Sequence, residues 1–174
     1  MSSPSNAQPA FRTLILLRHG KSAYPPGVGD HERPLANRGQ QEAKLAGDWI
    51  RQHCPSIDAI CCSSATRTRQ TLEATGLDGP TTFLGEIYSA YPEEVLEVVN
   101  ALDPAVRTAL IVGHAPGIPG LADDLAGPES DPPALGRLEI KFPTSAVAVL
   151  TFTGEWATLR ENGAVLVDFV VPRA

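Results

Sequence analysis

Short apolar runs alternate along this chain with stretches whose apolar residues recur at helical spacing. Residues 13–17, Thr-Leu-Ile-Leu-Leu, read as a buried strand. Further strands are expected over residues 57–62, 81–84 and 109–112. Between them, residues 38–53 read as a helix, with Leu45, Ala46, Trp49 and Ile50 forming two i,i+4 pairs on one stripe. Asn37 followed by Gln40 resembles a capping box for it, Pro55 stops it, and Trp49 is assigned to the core. A second helix is expected over residues 66–75, capped by Ser64 and ended by Gly76. Pro92 fits a first helical position, and Val95, Leu96, Val98, Val99 and Leu102 continue at helical period. Residues 117–125 form another helix, with Leu121 and Leu125 inward. Strands alternating with helices predict an α/β fold: a three-layer α/β/α domain around a mainly parallel central sheet.

The remaining segments are read from their breakers. Residues 21–34 carry Pro25, Pro26, Gly27 and Gly29 and are expected to be a loop, as are residues 127–136 with Pro128, Pro132 and Pro133. Residues 146–152 and 155–160 are paired as a hairpin around Thr153-Gly154, and residues 165–171 form a final strand. Residues 1–10, rich in Ser, Pro and Asn, are expected to be a disordered tail before a domain over residues 11–174.

Composition narrows the class. The 174 residues are 43% hydrophobic and 20% charged, with a net charge of −6. That balance disfavours a nucleic-acid partner or an anionic membrane surface. No apolar run reaches a membrane span, and the N-terminus lacks a secretory signal, so a cytoplasmic location is expected. Cys54, Cys61 and Cys62 make no disulfide framework, and no spacing suggests a zinc site; neither metal nor cofactor is expected. Cys61 and Cys62 are read as small buried hydrophobes.

The chemistry lies at the ends of two predicted strands. One runs into Arg18-His19-Gly20 and the other into Gly113-His114. Ligands of open α/β sheets bind beyond the carboxyl ends of the strands, so both imidazoles can reach one substrate. Between them, Ser63-Ser64-Ala65-Thr66-Arg67-Thr68-Arg69-Gln70-Thr71 leads a strand into a helix, with Arg67 in its first turn. A neutral His19 is a candidate nucleophile. Arg18 and Arg67 supply the planar positive forks that suit phosphate oxygens, and His114 can donate to a phosphoryl group. Each piece alone is a weak signal; their joint occurrence points to a phosphoryl pocket.

These pieces resemble the histidine phosphatase, or phosphoglycerate-mutase-like, superfamily across nearly the whole chain, roughly residues 13–152. The Arg-His-Gly box, Leu35-Ala36-Asn37-Arg38-Gly39, the Ser-Ser-x-x-Arg-x-x-Gln-Thr box and Val112-Gly113-His114 carry the likeness. It implies a phosphoglycerate-mutase-like fold, a metal-independent reaction, phosphorylation of His19, and a pocket made by Arg18, Arg67 and His114. The short length, Lys21-Ser22, Asp30-His31-Glu32-Arg33-Pro34-Leu35, Glu86-Ile87-Tyr88-Ser89-Ala90 and Lys141-Phe142-Pro143-Thr144 are similar to SixA-type phosphohistidine phosphatases. Ala36 stands where the family usually has Thr, which leaves the first helix to be capped by Asn37. Glu86 is a candidate proton donor or a solvated loop glutamate, with Asp30 a lesser candidate. Lys21 and Arg33 are candidates for bordering the pocket. The resemblance implies a phosphorylated substrate, either a phosphohistidine protein or a small phosphate ester. A phosphomonoesterase, a mutase or a non-catalytic phosphoprotein-binding domain are the rival readings.

Overall fold

The computed structural model describes residues 10–173. Six strands form one sheet: β1 (Phe11–Arg18), β2 (Ala59–Ser63), β3 (Thr81–Leu84), β4 (Thr108–Gly113), β5 (Val147–Thr153) and β6 (Val165–Val170). Their order is β3-β2-β4-β1-β5-β6. The first four are mutually parallel; β5 pairs antiparallel with β1, and β6 antiparallel with β5. Five helices cover the faces: α1 (Asn37–His53), α2 (Thr66–Thr75), α3 (Pro92–Asn100), α4 (Gly117–Leu125) and α5 (Pro132–Ile140). This is the three-layer, mainly parallel α/β fold that the sequence predicts.

Side chains alternate across a strand, and that alternation splits the core in two. Leu14 and Leu16 of β1 join Ile111, Val95, Leu121, Leu125 and Trp156 on the face covered by α3, α4 and α5. Ile15 and Leu17 join Ile50, Ile60, Leu72, Leu110 and Val112 on the other face, under α1 and α2. Cys61 and Cys62, on successive positions of β2, are buried one on each side. With both faces covered, the central strands read as continuous apolar runs.

Several local expectations change. Trp49 is half-buried at the margin of the core and stacks on His53, with ring centroids 4.6 Å apart. Neither α1 nor α2 has a side-chain N-cap. Ala36 precedes α1, and its N–H donates to the Lys21 carbonyl, so a tertiary contact sets the helix start before Asn37 can cap it. Ala65 precedes α2; the Ser64 hydroxyl is held by His31 Nε2 at 2.9 Å instead. Residues 132–140, placed mostly in a loop, form α5. Pro132 and Pro133 occupy its first turn, where missing N–H groups cost nothing, and the Asp131 carboxylate accepts from Ala134 N–H.

The expected hairpin around Thr153-Gly154 is absent: β5 pairs with β6. The intervening chain makes a 3-10 turn at Trp156–Thr158, because Trp156 is buried and donates its indole N–H to the Val106 carbonyl. Arg12 holds the same segment, donating to the Gly154 carbonyl and the Glu155 carboxylate. The tail expected over residues 1–10 lies outside the described residues except for Ala10, whose carbonyl accepts from Gly154 N–H. Among the described residues, no helix is long and apolar enough to cross a membrane.

Two glycines of α1 allow the packing that matters for the site. A Cβ on Gly39 would lie 2.2 Å from the Lys21 carbonyl oxygen, so the chain just after His19 rests on the first turn of α1. A Cβ on Gly47 would lie 2.1 Å from the Thr75 carbonyl oxygen, where α1 meets the end of α2. Alanine at either position is expected to cost about 1–3 kcal/mol through overpacking, read as a lower Tm. The two should separate in function. Gly47→Ala leaves the His19 segment in place and keeps activity at low temperature, whereas Gly39→Ala displaces it and loses activity as well.

Candidate active site

Three adjacent parallel strands, β2, β4 and β1, end at one edge and deliver Ser63, His114 and His19. The β1–β4 register pairs Arg18 with Gly113, so the next residue on each strand is a histidine. Neighbouring strands lie about 4.8 Å apart, and the two imidazole centroids are 5.1 Å apart. His19 N–H donates to the Gly113 carbonyl at 3.0 Å, which ties the first histidine to the strand carrying the second.

Proton positions follow from the partners. His19 Nδ1 lies 2.7 Å from the Gly20 carbonyl oxygen, which can only accept. Nδ1 therefore carries the proton and Nε2 keeps its lone pair. His114 Nε2 lies 2.8 Å from Ser63 Oγ. That hydroxyl accepts from Ala65 N–H at 3.3 Å and can give its own proton to Nε2, the tautomer in which His114 Nδ1–H is a donor.

The α2 box works as a brace. Thr71 Oγ1 accepts from Gly20 N–H and donates to the Arg67 carbonyl; Gln70 Oε1 accepts from Leu35 N–H. The helix thereby holds the chain after His19 and the entry to α1 while presenting Arg67. Arg67 donates to the Asp30 carbonyl at 2.6 Å and to its carboxylate at 3.2 Å. Arg18 donates to the Phe142 carbonyl at 2.8 Å. Among the described residues, the buried side-chain polar atoms without a partner are Arg18 Nε, Arg67 Nε, His114 Nδ1 and Ser145 Oγ. Buried polar groups are nearly always paired. Arg18 adjoins His19 in the chain, Ser145 N–H donates to the His19 carbonyl, the His114 ring lies 5.1 Å from that of His19, and the charge of Arg67 acts on it.

Burial pushes His19 down to about 4, reinforced by the charges of Arg67, Arg18 and Arg33 and opposed by the Gly20 hydrogen bond. Burial likewise pushes His114 to about 3, with His19 and Arg67 adding to the shift. Both shifts favour the neutral imidazoles near pH 7. Among the described residues, no group of three or more His, Cys, Asp or Glu could hold a metal ion.

Residues 14–84 match the family model of the histidine phosphatase superfamily, branch 1. The chain is 48% identical over 158 residues to an uncharacterized protein of Mycobacterium tuberculosis, covering 90% of this chain and all of that one. A solved structure of a candidate phosphohistidine phosphatase SixA from Nakamurella multipartitia is 38% identical. It superposes with a TM-score of 0.87 over 97% of this chain and 100% of that one. The chain belongs to the histidine phosphatase superfamily and is of the SixA type. A second solved relative, a protein histidine phosphatase SixA complexed with tungstate, is 26% identical with a TM-score of 0.73, covering 92% and 97% of the two chains.

Around the centre of this histidine phosphatase, the other candidates take different places. Glu86 is exposed in the 3-10 turn Gly85–Ile87 and lines a cleft of about 540 Å³ under α3 with Glu94 and Glu97. No hydrogen bond among the described residues joins it to the histidines. The carboxylate at the site is that of Asp30. The Tyr88 hydroxyl bound to it, with Arg33 and Arg67 beside it, holds it down to about 2. The shift favours the anion, which accepts from Arg67. Arg33 donates to Asp30 and to the Ser22 hydroxyl, bordering the site from the 21–34 loop. Lys21 is exposed, and its side chain makes no hydrogen bond or ion pair with the described residues.

Sequence reasoning assigned no role to Ser63, Gln70, Thr71, Tyr88 or Ser145. The first four lie in boxes already singled out, and side-chain roles were the missing step. Ser145 carries no local signal. The depressed imidazoles have two consequences. The acid limb of kcat/KM, which reports the free enzyme, is expected well below the ordinary value of 6.5. Stability should also fall as pH drops below 6.5, because the unfolded chain takes up protons there that the folded imidazoles refuse until about 4 and 3. A pH series of rate and of Tm, with His114→Asn reducing the stability slope, checks both.

Proposed function

We propose that this chain is a protein phosphohistidine phosphatase in which His19 Nε2 takes the phosphoryl group. One observation carries the reading: the unpartnered buried donors gather around an imidazole whose Nε2 lone pair is free. Such a ring of donors is the complement of a phosphoryl group, for which positioning and positive charge supply most of the catalysis. Nε2 attacks phosphorus in line with the leaving nitrogen. The substrate's P–N bond breaks, its electron pair returns to the departing imidazole, and that imidazole takes a proton from solvent. Water then attacks phosphorus, the P–Nε2 bond breaks, and inorganic phosphate leaves neutral His19. Arg18, Arg67 and His114 hold the non-bridging oxygens throughout.

The substrate class rests on proton supply. An alkoxide is a poor leaving group without an acid, and the carboxylate held at the site is ionised Asp30. A departing imidazole is easily protonated by water, so a phosphoramidate needs no strong acid. The relative solved with tungstate, a tetrahedral oxyanion like phosphate, is a protein histidine phosphatase, which accords with this choice.

His19→Ala is expected to abolish turnover. Brief exposure to a radiolabelled phosphoryl donor should leave base-stable, acid-labile label on the wild type and none on the variant. Arg67→Ala should cost on the order of 2–4 kcal/mol of transition-state stabilisation, as loss of an oxyanion donor does. Rates on a phosphohistidine protein and on a panel of phosphomonoesters, with chelator present, decide the substrate. A preference for the esters, lost in His19→Ala, moves the role to small molecules; no His19-dependent turnover on either favours a binding domain.

A further inference from the structure

Ser145 stands in the turn between α5 and β5, in the last third of the chain. Its backbone N–H donates to the carbonyls of both Arg18 and His19, at 3.1 and 3.0 Å. The residue is therefore clamped directly onto the segment that carries the nucleophile. The same turn holds Arg18 from the other side through the Phe142 carbonyl. Ser145 is fully buried, with a φ of 64°.

Two costs meet at this residue. A left-handed backbone is unfavourable for any side chain with a Cβ, and a buried hydroxyl without a partner loses its hydration for nothing. Glycine would avoid both. The hydroxyl is explained if an acceptor reaches it when the site is occupied. The other unpartnered buried atoms, Arg18 Nε, Arg67 Nε and His114 Nδ1, belong to the residue before His19 and to two residues that act on its imidazole. A ligand made only of acceptors satisfies all four.

We propose that Ser145 is a further catalytic residue, whose hydroxyl donates a hydrogen bond to a non-bridging oxygen of the phosphoryl group during its transfer to and from His19. This rests on the reading of His19 as nucleophile. The bond is strongest where negative charge on the equatorial oxygens is best aligned with the donors, so it acts on kcat more than on KM.

The test compares Ser145→Gly and Ser145→Ala with wild type and with His19→Ala. Glycine suits the positive φ, so Ser145→Gly keeps or raises Tm and guards against a variant that merely misfolds. The expected result is a loss of about 10- to 100-fold in kcat for both variants, as for loss of a hydrogen bond to a charged group, with KM little changed. Affinity for orthovanadate, which mimics the five-coordinate phosphorus, should weaken by a similar factor. Wild-type kcat and vanadate affinity in Ser145→Gly would overturn the proposal and leave His19 untouched. A fall in kcat with unchanged vanadate affinity would also overturn it, since the hydroxyl would then not touch the transferred group. Persistent turnover in His19→Ala, by contrast, removes the nucleophile reading itself and this proposal with it.

Discussion

The site depends on the parallel pairing of β1 with β4 in one register. With Arg18 opposite Gly113, the chain leaves both strands at the same level, and the two histidines emerge side by side. A slip of one residue would turn every side chain of the strand to the other face. It would bury the wrong set of apolar residues and carry His19 away from His114 in the same stroke. The two core clusters, one on each face of the sheet, oppose that slip. Packing energy far from the chemistry thus sets the distance on which the chemistry relies.

On this frame α2 acts as a brace as much as a ligand-bearing helix. Thr71 fixes the backbone after His19, Gln70 fixes the approach to α1, and Arg67 projects between them. Glycines at positions 39 and 47 let α1 come close enough to complete the support. Asp30, reached from the long 21–34 loop, occupies two of the Arg67 hydrogen-bonding positions and aligns the guanidinium. Tyr88 closes the arrangement, its hydroxyl on Asp30 and its ring 5.6 Å from that of His114.

The electrostatics follow from burial first and from charge second. Desolvation keeps both imidazoles neutral, and the neighbouring arginines push the same way. One ionised carboxylate stands among the cations, which limits their mutual repulsion before an anionic substrate arrives. Charged donors in a poorly solvated site act more strongly than they would in water. The chain's overall negative charge and its cationic centre are compatible because the arginines are gathered locally.

Much of this was legible in the sequence. The apolar runs gave the parallel strands, since buried parallel strands need continuous hydrophobicity, and three boxes at element ends marked Arg18, His19, Arg67 and His114. What failed were the features set by contacts distant in sequence. The start of α1 is fixed by Lys21, Trp156 is drawn inward by Val106, and β5 takes β6 as its partner in place of the adjacent segment. Two prolines concealed α5 because a helix start and a loop use the same residue. Local pattern therefore determined the fold class and, together with the family resemblance, singled out the histidines and arginines that the fold brings together. Only the tertiary structure decided which carboxylate stands at the site, which nitrogen of His19 carries the proton, and that Ser145 lies against His19. Those outcomes depend on partners far along the chain, and no local spacing encodes them.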